Sequence, residues 1–205
     1  MTLPTSSSWF LTGERLSVPY QAPQGRRVNA IGAHFTHGPE AGRLEHQSWA
    51  VLPKRRAKQP RVSMEARAAA QGLRIEEVGP IDAARVVAFV WRVAGRPQDA
   101  PADWKRERPL FVAWDNYAVH KSEIVREAQA QWAAAGVHVV ALAAYCPEQS
   151  GIEPVWNDVK QHQLPVRSFA RVADLKSAVD HALACKAAQL RHRAQQSMNV
   201  HRLPT

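Results

Sequence analysis

The stretch LFVAWDNYAVHKSEIVREAQAQWAAAGVHVVALAA, residues 110 to 144, decides the fold. LFVAW (Leu110 to Trp114) is a continuous apolar run, the signature of a buried strand. SEIVREAQAQWAAAG (Ser122 to Gly136) reads as a helix that closes on a glycine. VHVVALAA (Val137 to Ala144) is a second buried strand. Strand, helix and strand with short connections make a βαβ unit, and its right-handed crossover sets the two strands side by side.

Toward the N-terminus, Val28 to Phe35 and Arg43 to Leu52 read as an antiparallel strand pair around the turn His37 to Gly42. Gly32 within the first strand suggests a bulge. The first thirty residues, rich in Ser, Pro and Gly, read as loop or weak hairpin. Pro53 to Arg61 (PKRRAKQPR) is a basic, Pro-bounded connection, either a solvated loop or a phosphate contact through Lys54, Arg55 and Arg56. Residues 62 to 80 fit no single template. Ile81, Ala84, Val87, Ala88 and Trp91 fall at helical spacing and stop at Gly95. Past residue 160, Val172 to Gln196 is one long amphipathic helix suited to covering a sheet face, and the last nine residues read as frayed.

Composition narrows the class of partner. Lys plus Arg is 27 against 18 Asp plus Glu, a formal charge of +9 with a pI near 10.1. Such an excess favours polyanions, nucleic acid before anionic membrane. No apolar run approaches the roughly 18 residues of a membrane span. The N-terminus lacks the basic and apolar regions of a signal peptide. Cys146 and Cys185 form no metal spacing, nor do the nine His residues, so a reduced cytoplasmic setting is expected and a zinc site is not.

In an open α/β sheet, functional side chains gather beyond the carboxyl ends of the strands. Asp115 follows LFVAW directly. Glu153 follows the second strand across the turn AAYCPEQSG (Ala143 to Gly151). Carboxylates held close together repel, and a hard cation such as Mg²⁺ relieves that repulsion. Glu153, Trp156, Asn157 and Lys160 share one helical face, so Trp156 can wedge the helix on the sheet and Lys160 can reach a phosphate. The helix dipole favours an ionised Glu153 in the first turn, with Ser150 as a cap and Pro147 fixing the approach. The spacing also allows a plainer reading. Asp115 and Asn116 then form a strand-end turn, Glu153 is an ordinary first-turn residue, and His120 and Lys121 are surface residues at a helix start.

The strings WDNYAVHK and YCPEQSGIEPVWNDVK carry more than spacing. Together they resemble the catalytic core of mariner-like bacterial insertion-sequence transposases, members of the DDE superfamily with a ribonuclease H-like fold. Asp115, Asn116 and His120 match the first block of that pattern. Tyr145, Pro147, Ile152, Glu153, Trp156 and Lys160 match the second. The resemblance implies that Asp115 and Glu153 are the second and third of three acidic ligands for Mg²⁺ or Mn²⁺. It implies DNA cleavage at transposon ends and strand transfer into target DNA, and it allows a homodimer. The role of His120 stays open.

The chain departs from the pattern in three places. No Asp occurs in residues 1 to 27, where Glu14 is the only acid. The helix-turn-helix region that precedes such cores has no counterpart. Ala143-Ala144 and Ser150-Gly151 replace Pro-Pro and Asn-Pro, which loosens the turn. The expectation is an N-terminally truncated core, whether a gene fragment, a misplaced start or one frame of a split gene. The expected fold is α/β, a ribonuclease H-like mixed sheet flanked by helices and lacking its first strand. Residues 1–165 would form the partial catalytic core and 166–205 a covering helix and basic tail. Cleavage is expected to be weak or absent, in a cytoplasmic, nucleoid-associated setting without membrane partners. The alternative is a non-catalytic basic DNA-binding remnant.

Overall fold

A computed structural model describes residues 26–54, 61–143, 149–165 and 169–200, the last three by backbone alone. The chain is α/β, with small sheets flanked by helices, as expected for a ribonuclease H-like domain. It divides into two compact units, Met1–Pro80 with Pro154–Thr205, and Ile81–Glu153.

In the first unit, β1 (Arg27–His34) and β2 (Leu44–Val51) pair antiparallel in continuous register from Arg27↔Val51 to His34↔Leu44. The register corrects the bulge expected at Gly32, which pairs directly with His46. The turn between the strands is closed by Phe35 N–H to the Arg43 carbonyl (2.9 Å) and Gly42 N–H to the Phe35 carbonyl (2.8 Å). Arg43 lies over the Phe35 ring at 4.7 Å and pairs with Glu40 and Glu45.

The ambiguous residues 62 to 80 resolve into a short helix and a 3₁₀ turn. The helix α1 (Met64–Ala69) is capped by Ser63, whose hydroxyl accepts the Ala66 N–H at 3.2 Å. Residues Ile75–Glu77 form the 3₁₀ turn, and Val78 then bridges to Ala50 beside β2. Local capping built these pieces, and they are too short to leave a periodic signal.

The long helix appears as α5 (Val172–Val200). It runs four residues beyond the expected end, so Ser197 to Val200 are helical rather than frayed. Leu175, Val179, Ala182 and Leu183 of α5 pack with Val28 and Ala50 of the hairpin, directly opposed on one face. Burial of this kind contributes about 1.5–3 kcal/mol per large apolar side chain. Two lysines of α5 are buried with their charges paired, Lys176 with Asp180 (2.7 Å) and Glu77 (3.7 Å), and Lys186 with Asp158 (2.8 Å). The Arg74 backbone N–H is the main influence holding the Glu77 carboxyl below its ordinary range, and attraction to Lys176 and Arg74 works in the same direction.

In the second unit, α2 (Ala83–Val93) begins at Asp82, whose carboxylate accepts the Arg85 N–H at 2.9 Å. Strand β3 (Leu110–Trp114), helix α3 (Glu123–Ala134) and strand β4 (Val137–Ala141) form the expected βαβ unit. β3 and β4 are parallel, in register from Leu110↔Val137 to Trp114↔Ala141. Helices α2 and α3 end before Gly95 and Gly136, both at positive φ. Between them, the Arg106 side chain donates to the Ala94 carbonyl and its backbone N–H donates to Ala135.

One expectation for these strands is corrected. LFVAW and VHVVA were expected to be buried throughout, yet Phe111 is 68% exposed and Val140 52%. Helix α3 packs on β4, and the buried side chains of α2, α3 and β4 form this unit's core. Phe111, Ala113, His138 and Val140 occupy the alternate positions and lie on the exposed face. No third strand joins this sheet among the described residues.

The hairpin contact with α5 gives a direct test. A Cβ on Gly42 would meet Ala194 Cβ at 2.5 Å and the Leu190 carbonyl oxygen at 2.7 Å, whereas a Cβ on Gly38 would meet nothing within 4 Å. Both residues have positive φ. Gly38→Ala should therefore cost about 1–2 kcal/mol for its conformation alone, and Gly42→Ala about 1–3 kcal/mol more for the overlap. Thermal melting of both variants checks this, and equal losses would contradict the close approach of α5.

Candidate functional site

The parallel register delivers the end of β3 next to the end of β4. Leu142 N–H donates to the Trp114 carbonyl at 2.8 Å, continuing the ladder one step beyond the strands. Asn116 then donates its side-chain amide to the Leu142 carbonyl at 2.8 Å. Asp115 sits between these two ties, at the carboxyl end of β3 where the α/β rule places functional groups.

The Asp115 carboxylate is 68% exposed, and its Oδ1 accepts the Tyr117 N–H at 3.0 Å. The bond is an Asx turn at the strand end. His120 lies in the 3₁₀ turn Ala118–Lys121, with Nδ1 at 3.0 Å from the Asp115 carbonyl oxygen and 3.2 Å from Oδ1. Its ring stacks on Trp114 at 4.3 Å between centroids and 7° between planes. Trp114 in turn meets the fully buried Trp132 edge-on at 6.0 Å, and Trp132 meets Trp91 at 6.5 Å. A chain of aromatic contacts thus runs from the core of the unit to His120.

Glu153 begins α4 (Glu153–Asp158), and its backbone N–H donates to the Ser150 carbonyl at 3.0 Å. The side chain is half-buried. The expected face Glu153, Trp156, Asn157 and Lys160 does not persist as one α-helical stripe. After Asp158 the chain widens into a π-helical turn, Val159–Gln163, closed by Leu164 N–H to the Val159 carbonyl at 3.1 Å. Val155 and Val159 are the buried positions, Trp156 packs partly against the core around α5, and Asn157 and Lys160 are exposed. Lys54 is also exposed. Arg55, Arg56, Tyr145, Cys146 and Pro147 lie outside the described residues.

The structure therefore places Asp115, Asn116 and His120 together at the end of β3, with His120 bonded to Asp115 and Asn116 bonded to Leu142. Glu153 belongs to the same unit as that cluster. Lys54 and Lys160 belong to the other unit. Trp114 and Tyr117 complete the cluster and were missed in the sequence. Their signal was faint: Trp114 is the inward-facing last residue of an apolar strand, and Tyr117 contributes mainly through its backbone N–H and carbonyl, with its exposed ring edge-on to His120 at 6.0 Å.

Residues 51–176, more than half of the chain, match the model of the DDE superfamily endonucleases. The chain belongs to that family. No curated protein matches it. The matched segment contains Asp115, Asn116, His120, Glu153 and Lys160. Membership makes this a transposase-related nuclease domain, with DNA as the substrate class and a divalent metal as the usual cofactor of the DDE endonucleases.

The residues can be tested against that metal. Among the described residues, Asp115 Oδ2 and the Glu153 carboxylate have no donor engaged with them, so each offers a hard oxygen ligand of the kind Mg²⁺ and Mn²⁺ take. Among the same residues, no three His, Cys, Asp or Glu side chains converge on a metal position. The donor chemistry fits a cation held by one or two carboxylates with water and phosphate completing its shell.

The Asn116 tie can be measured by itself. Asn116→Ala removes a hydrogen bond worth about 0.5–1.5 kcal/mol. Hydrogen exchange should quicken at the Leu142 amide and stay unchanged in the middle of β4. Unchanged exchange at Leu142 would show that the strand ends are held by other means.

Proposed function

We propose that this DDE endonuclease domain is the catalytic part of a mariner-like insertion-sequence transposase acting on transposon ends and target DNA. The observation that carries the reading is Asp115 at the carboxyl end of β3, parallel to β4, inside the family-matched segment. Asp115 and Glu153 are the residues proposed to hold Mg²⁺ or Mn²⁺, Asp115 through Oδ2. The bound ion would supply electrostatic stabilisation of the phosphodiester oxygens and an activated water. Lys160 and Lys54, both exposed, and Arg55 and Arg56 are assigned to DNA phosphates, in keeping with the +9 charge. A homodimer is proposed from the resemblance, and a cytoplasmic, nucleoid-associated setting from the cysteine usage and the resemblance together. No helix among the described residues is long and apolar enough to cross a membrane.

The resemblance calls for three acids, and residues 1 to 27 hold no Asp to match the first of them. Cleavage by this chain is therefore proposed to be impaired. A second reading, a basic DNA-binding remnant without chemistry, is favoured by the same charge excess.

Both readings predict that DNA binding falls steeply with salt. They separate in a plasmid-nicking assay with Mg²⁺ or Mn²⁺. The first predicts slow, metal-dependent nicking that Asp115→Ala and Glu153→Ala abolish while DNA binding persists. Robust nicking that depends on both residues would overturn the impairment and uphold the site. Binding without any nicking would favour the remnant, and salt-independent binding would contradict both.

A further inference from the structure

The most completely determined side chain near Asp115 is His120. The ring is held face-on by Trp114 at 4.3 Å, it is only 15% exposed, and the 3₁₀ turn fixes its backbone through His120 N–H to the Tyr117 carbonyl at 2.9 Å. Nδ1 stands 3.0 Å from the Asp115 carbonyl oxygen. A carbonyl oxygen only accepts hydrogen bonds, so this contact requires the proton on Nδ1. The same nitrogen is 3.2 Å from Oδ1 of the Asp115 side chain. One imidazole thus grips the backbone and the carboxylate of a single residue.

We infer that His120 is the positioning residue for Asp115. Its Nδ1–H, together with the Tyr117 N–H at 3.0 Å, commits Oδ1 to the protein and sets the rotamer that turns Oδ2 outward. Without that grip, an exposed aspartate at a strand end samples several rotamers, and a cation must order it on binding. The stack on Trp114 supplies the rigidity, because Trp114 is itself braced against the buried Trp132. Partners that orient a ligand in this way typically account for about 10–100-fold in metal affinity. The inference rests on the proposed role of Asp115 as a metal ligand, and its geometric half can be read without metal.

Two measurements test it. The first is the ¹⁵N spectrum of metal-free protein at about pH 8.5, where ordinary imidazoles are neutral. The proton should reside on Nδ1 of His120, and a proton on Nε2 would overturn the inference. The second is Mn²⁺ affinity, by calorimetry, of the unaltered chain and of His120→Asn, His120→Phe and His120→Ala, with melting temperatures recorded alongside. Asn keeps an amide donor near the place of Nδ1, and Phe keeps the stack on Trp114 without the donor. His120→Asn should bind Mn²⁺ as the unaltered chain does, and His120→Phe and His120→Ala about tenfold more weakly. Normal affinity in His120→Phe would mean that the ring serves packing alone and would overturn the inference. If the unaltered chain bound no Mn²⁺, the metal reading of Asp115 would fail, and the spectrum would still decide whether Nδ1 grips Asp115.

Discussion

The parallel pairing of β3 and β4 is the constraint on which the candidate site depends. In a parallel pair both strands end at the same edge, so the residues that follow them emerge side by side. The register Trp114↔Ala141 sets that edge, and the Leu142 and Asn116 hydrogen bonds hold it one residue further on. A shift of one residue would carry Asp115 to the other face of the sheet and replace Trp114 at the inward position. Alternation along β3 puts Asp115 on the exposed side with Phe111 and Ala113, and Trp114 on the side facing Trp132.

That alternation couples the hydrophobic core to the polar site. Trp132 is wholly buried, and its indole N–H has no oxygen or nitrogen acceptor among the described residues. The near-perpendicular rings of Trp91 and Trp114 around it allow the weaker contact of an N–H with a π face. Trp114 passes the rigidity of this cluster to His120 by stacking, and His120 passes it to Asp115 by hydrogen bonds. The first unit meets a comparable demand with Gly42, where the hairpin turn and α5 approach too closely for any side chain.

Much of this was legible in the sequence. The apolar runs at 110 and 137 and the periodic segment between them specified the βαβ unit, because the hydrophobic pattern alone separates strand from helix there. The hairpin and the long C-terminal helix were legible for the same reason. Local chemistry was less so. The two short elements between 62 and 80 arise from single caps and span too few residues for a period. The π-helical turn after Asp158 breaks a face that the seven-residue spacing predicts. A continuous apolar run also reads alike whether one or both faces of its sheet are covered, so the exposure of Phe111 and Val140 could not be anticipated. Asp115, Asn116 and His120 stand out by type and order, while the stack of His120 on Trp114 depends on three-dimensional placement.

The proposed role of Asp115 and Glu153 is to hold one divalent cation between them. Anomalous diffraction from crystals of the chain grown with Mn²⁺ tests it most directly. A single manganese peak within coordination distance of oxygen atoms from both carboxylates is predicted. Peaks on only one of the two residues, with the other turned away or distant, would contradict it.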